Sequence, residues 1–202
     1  KGIMYVPAQF IRLDRNPRRG SSKVLDMLGN PAGLSKESCL NALLEGNEDL
    51  PPGSKLEFNK KAGYIELNDS IVFFVNMPEL YGEECFKRTY WNTWLDQGKT
   101  LTWFFRDEEW KDGTSRIAQK LSKGGTFLQM EPRRILFVRV GQRHFICCGP
   151  VEVVFTDKPS IVKRGKRDRD LVEIKLRILF WENLQLSPEF LAMTRPPKME
   201  SK

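Results

Sequence analysis

The sequence lacks any apolar run of the roughly 18 to 20 residues that a membrane-crossing helix needs. It also lacks the charged and then apolar opening that marks a secretory signal peptide. We therefore expect an intracellular protein with no membrane partner. Its 202 residues, of which 40% are hydrophobic and 29% are charged, are enough for one folded domain.

Cysteine and histidine are scarce, which limits the enzyme classes that the chain can belong to. The four cysteines, Cys39, Cys85, Cys147 and Cys148, form no CxxC pair, and this argues against a disulfide framework and against a zinc site. We expect reduced, mostly buried thiols. The single histidine, His144, lies on a predicted strand, where Cys147 points to the other face and Cys148 lies roughly 13 Å away. No Cys–His catalytic dyad is predicted.

Common nucleotide and metal motifs are also missing. A Gly-rich phosphate loop, a Walker lysine, a dinucleotide fingerprint and an HExxH pair are all absent, so we predict neither a cofactor nor a bound metal. One metal-dependent alternative stays open. Glu173 and Lys175, with Asp157 upstream, match the pattern of a PD-(D/E)xK-like nuclease, in which carboxylates hold Mg²⁺ and lysine helps to activate water. The same Glu-x-Lys pair also occurs on the wet face of ordinary amphipathic strands.

The positive charge is concentrated in two short segments of the chain. The first basic segment, residues 12–23, has a net charge of +4 from one acid, Asp14, and five basic residues: Arg12, Arg15, Arg18, Arg19 and Lys23. The second basic segment, residues 157–169, is also +4, with two acids and six basic residues: Lys158, Lys163, Arg164, Lys166, Arg167 and Arg169. Because the chain is +7 overall, the remaining residues together carry −1.

Both basic segments contain glycine or proline and lack apolar periodicity, so we predict exposed loops. Loops of this kind bind polyanions, because each cation that neutralises a phosphate releases a condensed counterion. Two alternatives stay open: a solvated surface without a partner, and a targeting or docking role. Residues 163–167 match a nuclear localisation signal, which would place the protein in the nucleus.

The apolar pattern predicts an α+β fold that is mainly β. We expect a mixed curled sheet or a partly closed barrel with two or three short peripheral helices. Residues 135–140 and 143–148 predict a hairpin around Gly141 and Gln142, with a type II′ turn. A short strand is predicted at residues 9–13, and a long amphipathic strand at residues 170–181. Ser35 predicts the N-cap of a helix that ends at Gly46. We expect one domain, residues 1–195, and a flexible tail, residues 196–202.

Five tryptophans suggest that aromatic rings could stack on bases. Trp103 lies in a predicted strand, and Trp110 lies in a strongly charged stretch, so these two are the candidates for a base pocket. The strand pattern of residues 100–155 resembles that of PUA-like modules, which include the SRA, EVE and YTH domains. The resemblance implies a mixed barrel that reads a modified or flipped base.

The leading hypothesis is therefore a non-enzymatic nucleic-acid-binding module, with DNA favoured over RNA. Phosphates would be held by Arg15, Arg18 and Arg19 and by the second group, Lys163, Arg164, Lys166, Arg167 and Arg169. The nuclease is one alternative. A scaffold subunit of a larger assembly with protein partners is another, suggested by the start at Lys1 and by the prolines near the end of the sequence.

Overall fold

The structure is a computed structural model that describes residues 2–13, 23–77, 92–106, 133–154, 160–163 and 170–194. The strands in these residues are β1 (Tyr5–Pro7), β2 (Pro31–Gly33), β3 (Lys55–Glu57), β4 (Tyr64–Glu66), β5 (Ser70–Met77), β6 (Trp94–Leu95), β7 (Thr100–Arg106), β8 (Arg133–Val140), β9 (Phe145–Val154), β10 (Ser160–Lys163) and β11 (Asp170–Ile178). The helices are α1 (Lys23–Asp26), α2 (Lys36–Leu43), α3 (Trp181–Leu184) and α4 (Pro188–Thr194).

Nine of these strands form one mixed sheet. Its order is β4-β5-β8-β9-β11-β7-β6, with β10 also paired to β11 and β2 also paired to β9. Strands β5 and β8 are parallel, and the other pairs in this sheet are antiparallel. Strands β1 and β3 form a separate parallel pair. The predicted class, α+β and mainly β with a mixed sheet, is confirmed.

The sheet is strongly curled. Strands β5 and β7 are separated by three other strands, so a flat sheet would hold them roughly 19 Å apart at about 4.8 Å per strand. Nevertheless, the ring centroids of Phe73 on β5 and Trp103 on β7 lie 5.0 Å apart. The side-chain amide of Asn92, just before β6, also donates to the backbone carbonyl of Asn76 on β5 at 3.5 Å. The sheet therefore closes most of the way into a barrel.

Each face of the curled sheet has its own apolar core. The inner core includes Phe73, Leu101, Trp103, Leu136, Val138, Leu176 and Phe190. The outer core lies under α1, α2 and the N-terminal segment, and it includes Leu40, Leu43, Phe74, Phe137, Phe145 and Cys147. Alternate residues of β5 and β8 enter different cores, as the period of two along a strand requires.

The predicted β8–β9 hairpin is present, with a longer connection. Gly141 has a φ of +56°, which suits a hairpin turn that begins with glycine. The Arg143 amide donates to the Val140 carbonyl at 3.2 Å, but β9 begins only at Phe145. The Gly141 amide donates to Met77 on β5, so this end of the hairpin bonds to the neighbouring strand.

The helices partly follow the sequence signals. Ser35 caps α2 as predicted, because its hydroxyl accepts from the Ser38 amide at 3.0 Å. The predicted strand at residues 9–13 is wrong, since a 3-10 helix occupies Ala8–Phe10. Strand β11 ends three residues earlier than predicted, and α3 begins at Trp181.

Candidate nucleic-acid interface

The first basic segment starts beside a buried ion pair. The backbone amide of Leu13 donates to Asp69 Oδ1 at 2.9 Å, and Asp69 Oδ2 accepts from Arg133 Nη2 at 2.8 Å. Asp69 immediately precedes β5, and Arg133 is the first residue of β8. The segment therefore leaves the fold at the end where β5 and β8 begin. Its predicted phosphate ligands, Arg15, Arg18 and Arg19, lie outside the described residues.

The second basic segment contains β10, which pairs with β11, so the predicted loop is wrong at residues 160–163, which form a strand. Lys163, the last residue of β10, pairs with Asp170, the first residue of β11. The predicted ligands Arg164, Lys166, Arg167 and Arg169 lie between these two and outside the described residues, and of Lys163 only the backbone is described.

The described residues that flank the two segments lie toward the same end of the barrel. Strand β8 runs antiparallel to β9, and β9 runs antiparallel to β11, so β11 runs in the same direction as β5 and β8. The first residues of these three strands consequently point to one end. We call this the basic end.

Strand β11 pairs with β9 near its end and with β7 along Leu171–Arg177. Arg177 pairs with Glu152 on β9, and Glu152 lies two residues past Pro150, the partner of Ile135, so Arg177 is about level with Arg133. Closer to the start of β11, Ile174 is buried in the inner core, and its partner Trp103 contacts Phe73 on β5. The described part of β11 therefore belongs to the body of the curled sheet.

Two cations of the first basic segment have described partners. Lys23 Nζ lies 2.9 Å from the Glu45 carboxylate, which compensates its charge. Arg12 is exposed, and its Nε donates to the neutral amide oxygen of Asn68 at 3.4 Å. The backbone amide of Arg12 also donates to the Asp49 carboxylate at 3.0 Å, so an acid lies beside this residue as well.

Of the two tryptophans that are candidates for base stacking, the structure describes one. Trp103 is 7% exposed, and Phe73 and Tyr64 pack against its ring at interplanar angles of 72° and 83°. This ring belongs to the inner core, where a base would have to displace packed side chains, so its base-binding role stays a prediction. Trp110 lies outside the described residues.

The nuclease candidates share one strand face, as predicted. Glu173 and Lys175 are partly exposed, whereas their neighbours Ile174 and Leu176 are buried in the inner core. The pair therefore lies on the outward face of β11. Asp157 lies outside the described residues. Across the described ranges, no group of three or more His, Cys, Asp or Glu side chains is arranged to hold a metal.

The described cysteines are free, buried thiols. Burial raises the pKa of Cys39 and of Cys147 to about 12, and it raises the pKa of Cys148 well above its ordinary value. Cys147 lies in the outer core, whereas His144 is exposed at the hairpin. The predicted separation of this cysteine from His144 is thus confirmed. Cys85 lies outside the described residues.

No pattern in the sequence predicted a groove at the end opposite the basic end. This hairpin groove has a volume of about 350 Å³ and lies between the β8–β9 hairpin and α4. Apolar side chains from both elements form its floor, and its polar rim consists of Arg143, His144 and Glu189. One wall of the groove is the β8–β9 hairpin, which the sequence predicted from its glycine turn. The other wall is α4, which was not predicted.

Comparison of the chain with protein-family models and with curated proteins finds no match. The resemblance of residues 100–155 to PUA-like modules therefore stays a prediction. Within the ranges that the structure describes, no helix is long and apolar enough to span a membrane.

Proposed function

We propose that this chain is a non-enzymatic nucleic-acid-binding module that holds phosphates with the two basic segments at one end of a curled sheet. The observation that carries the proposal is the common direction of β5, β8 and β11. It brings the residues that flank both segments to the basic end, although more than 130 residues separate the two segments in the chain.

The charge distribution supports electrostatic binding. Two segments of +4 each, on a remainder of −1, concentrate the positive charge in two short parts of the chain. Clustered charge of one sign attracts a polyanion and raises its association rate. Each phosphate that is neutralised also releases a counterion. Phosphate contacts of this kind position a protein on nucleic acid without selecting a sequence.

The positions of the nuclease candidates favour binding over cleavage. Glu173 and Lys175 lie on the outward face of β11, where Arg177 forms an ion pair with Glu152 at 3.2 Å. Exposed charges that alternate with buried apolar residues are the ordinary outer face of an amphipathic strand. Reading of a modified base is a finer proposal, and the hairpin groove, of about 350 Å³, is one described cavity of a size to accept a base.

A salt titration tests the proposal. Binding of a labelled 20-base-pair duplex, and of DNA and RNA single strands, is measured by fluorescence anisotropy between 50 and 200 mM KCl. Six phosphate contacts would give a slope of about −5 for log K against log salt on the duplex. Absence of binding tighter than 1 mM for every probe at the lowest salt would end the proposal.

A matched pair of variants separates a local site from net charge. We expect Lys166→Gln with Arg167→Gln to weaken binding at least tenfold, because both charges lie in the second basic segment. Lys55→Gln with Lys99→Gln removes the same charge from two exposed positions outside both basic segments, and we expect less than a twofold change. Equal losses in the two double variants would show that only the total charge matters.

A further inference from the structure

Two cations lie close together at the end of the barrel opposite the basic end. Arg139 is the penultimate residue of β8, and Lys36 is the first residue of α2. Both side chains pack on aromatic rings of the outer core. The Arg139 guanidinium lies 4.5 Å from the centroid of Phe145, and Lys36 Nζ lies 6.0 Å from the centroid of Phe74. Aromatic faces attract cations, and they fix these two in place.

The acceptors that hold these cations are neutral. Arg139 donates from Nε to the side-chain oxygen of Asn76 at 2.5 Å, and from Nη1 to the carbonyl of Leu34 at 2.8 Å. Lys36 Nζ donates to the backbone carbonyls of Lys60, at 3.0 Å, and Ala62. The nearest acid in sequence, Glu37, instead accepts from the Lys60 side chain at 3.0 Å.

The two cations affect each other electrostatically. Partial burial and then repulsion by Arg139 lower the pKa of Lys36. Like charges held together at a partly dehydrated position are unfavourable, and a bound anion relieves the repulsion. A guanidinium has five N–H donors, and the two hydrogen bonds above leave about three of them for such an anion.

The neighbouring turn adds a third cation. Arg143 is exposed on the connection between β8 and β9, four residues after Arg139, and it also forms part of the rim of the hairpin groove. Leu34, whose carbonyl binds Arg139, is 56% exposed, so solvent and ligands reach this corner of the fold.

We propose that Lys36, Arg139 and Arg143 form a second phosphate-binding site, which contacts the nucleic-acid backbone at the end of the barrel opposite the basic end. This inference rests on the proposed function and extends it. Arg133 and Arg139 are six residues apart on β8 and so lie on one face of that strand, separated by roughly 20 Å. A duplex that contacts both the basic end and this second site must therefore extend over more than about six base pairs.

A length series tests the second site. Dissociation constants are measured at 50 mM KCl for duplexes of 8 and 16 base pairs. We expect Arg139→Gln to weaken binding of the 16-mer three- to tenfold, to lower its salt slope by about 1, and to leave the 8-mer unchanged. The control Lys99→Gln removes one exposed charge that packs on the Trp181 ring, outside both proposed sites, and is expected to bind both duplexes as the native protein does.

Arg143→Gln is the second test variant, since this exposed turn residue can change without disturbing packing, and circular dichroism checks the fold of each variant. Native-like binding of both duplexes by folded Arg139→Gln and Arg143→Gln overturns the second site. If Lys166→Gln with Arg167→Gln still weakens binding, the proposed function stands. Failure of the native protein to bind either duplex overturns both proposals. Inorganic phosphate is then added as a competitor. If phosphate displaces the duplexes and the affinity does not depend on duplex length, the site binds free phosphate and the nucleic-acid contact is overturned.

Discussion

Asp69 and Arg133 join the first basic segment to the beginning of two strands. Their ion pair is 2.8 Å long, and the side chains are only 6% and 17% exposed. The other carboxylate oxygen of Asp69 accepts from the Leu13 amide and from the Ser70 hydroxyl, both at 2.9 Å. One carboxylate therefore holds together the start of β5, the start of β8 and Leu13, the last residue described before the gap in the first basic segment.

Loss of this carboxylate should destabilise the fold. We expect Asp69→Ala to lower the free energy of unfolding by about 3 kcal/mol, because it removes a buried carboxylate that bonds Arg133, the Leu13 amide and the Ser70 hydroxyl. Urea denaturation measures the change. Glu37→Ala breaks the exposed pair with Lys60 and should cost below about 1 kcal/mol. Equal costs for the two variants would contradict the structural role of Asp69.

Trp103 provides a test that separates packing from base stacking. We expect Trp103→Ala to cost about 3 to 5 kcal/mol of stability, because it empties the contact between β5 and β7. Trp103→Phe retains an aromatic ring and should fold with native affinity for nucleic acid. A tenfold loss of affinity in folded Trp103→Phe would instead assign the ring to a base pocket.

The buried thiols predict a fall in stability at alkaline pH. An unfolded thiol loses its proton near pH 9, whereas folded Cys147 keeps its proton up to about pH 12. In that window the unfolded state binds fewer protons, so stability decreases as pH rises. Cys147 contributes to this decrease throughout the window between the two pKa values.

Urea denaturation at pH 8 and pH 10.5 measures this effect. Cys147→Ala should show a smaller loss of stability between the two pH values than the native protein does. A parallel loss in both proteins would mean that the thiol of Cys147 ionises as readily in the folded state as in the unfolded one.

The start of α4 depends on Ser187. Its hydroxyl donates to the Gly29 carbonyl at 2.6 Å and accepts from the Phe190 amide at 3.2 Å. We expect Ser187→Ala to cost about 1 to 2 kcal/mol, since it removes a helix cap and a tertiary hydrogen bond. Chemical denaturation checks this value against Ser54→Ala, whose hydroxyl bonds only within an exposed turn. A cost no larger than that of the control would show that the cap is dispensable.

Local signals in the sequence predicted much of the fold. The alternation in β11 and the glycine turn after β8 are properties of neighbouring residues, and both elements formed as the pattern indicated. Helix α4 was missed, although Ser187 followed by Pro188 is an ordinary helix start. The strand predicted at residues 9–13 failed because the segment packs on the outer core, with Ile11 fully buried, instead of joining the main sheet.

The candidate sites were less predictable, because they depend on contacts between distant parts of the chain. Composition located the two basic segments but gave no information about which end of the sheet each one leaves. The Lys36 and Arg139 pair is 103 residues apart in sequence and follows from the docking of α2 beside β8. Neither residue lies in a charged run, so no local pattern indicated the pair.

The parallel pairing of β5 with β8 has a consequence for how the chain folds. Ser70 pairs with Arg133, which is 63 residues later, so this central ladder closes a very long loop. The β8–β9 hairpin closes only a few residues and can form in microseconds, whereas the entropy of long-range closure delays the ladder. The two apolar faces of β8 stay open to solvent until β5 docks, and refolding should be slow and sensitive to protein concentration.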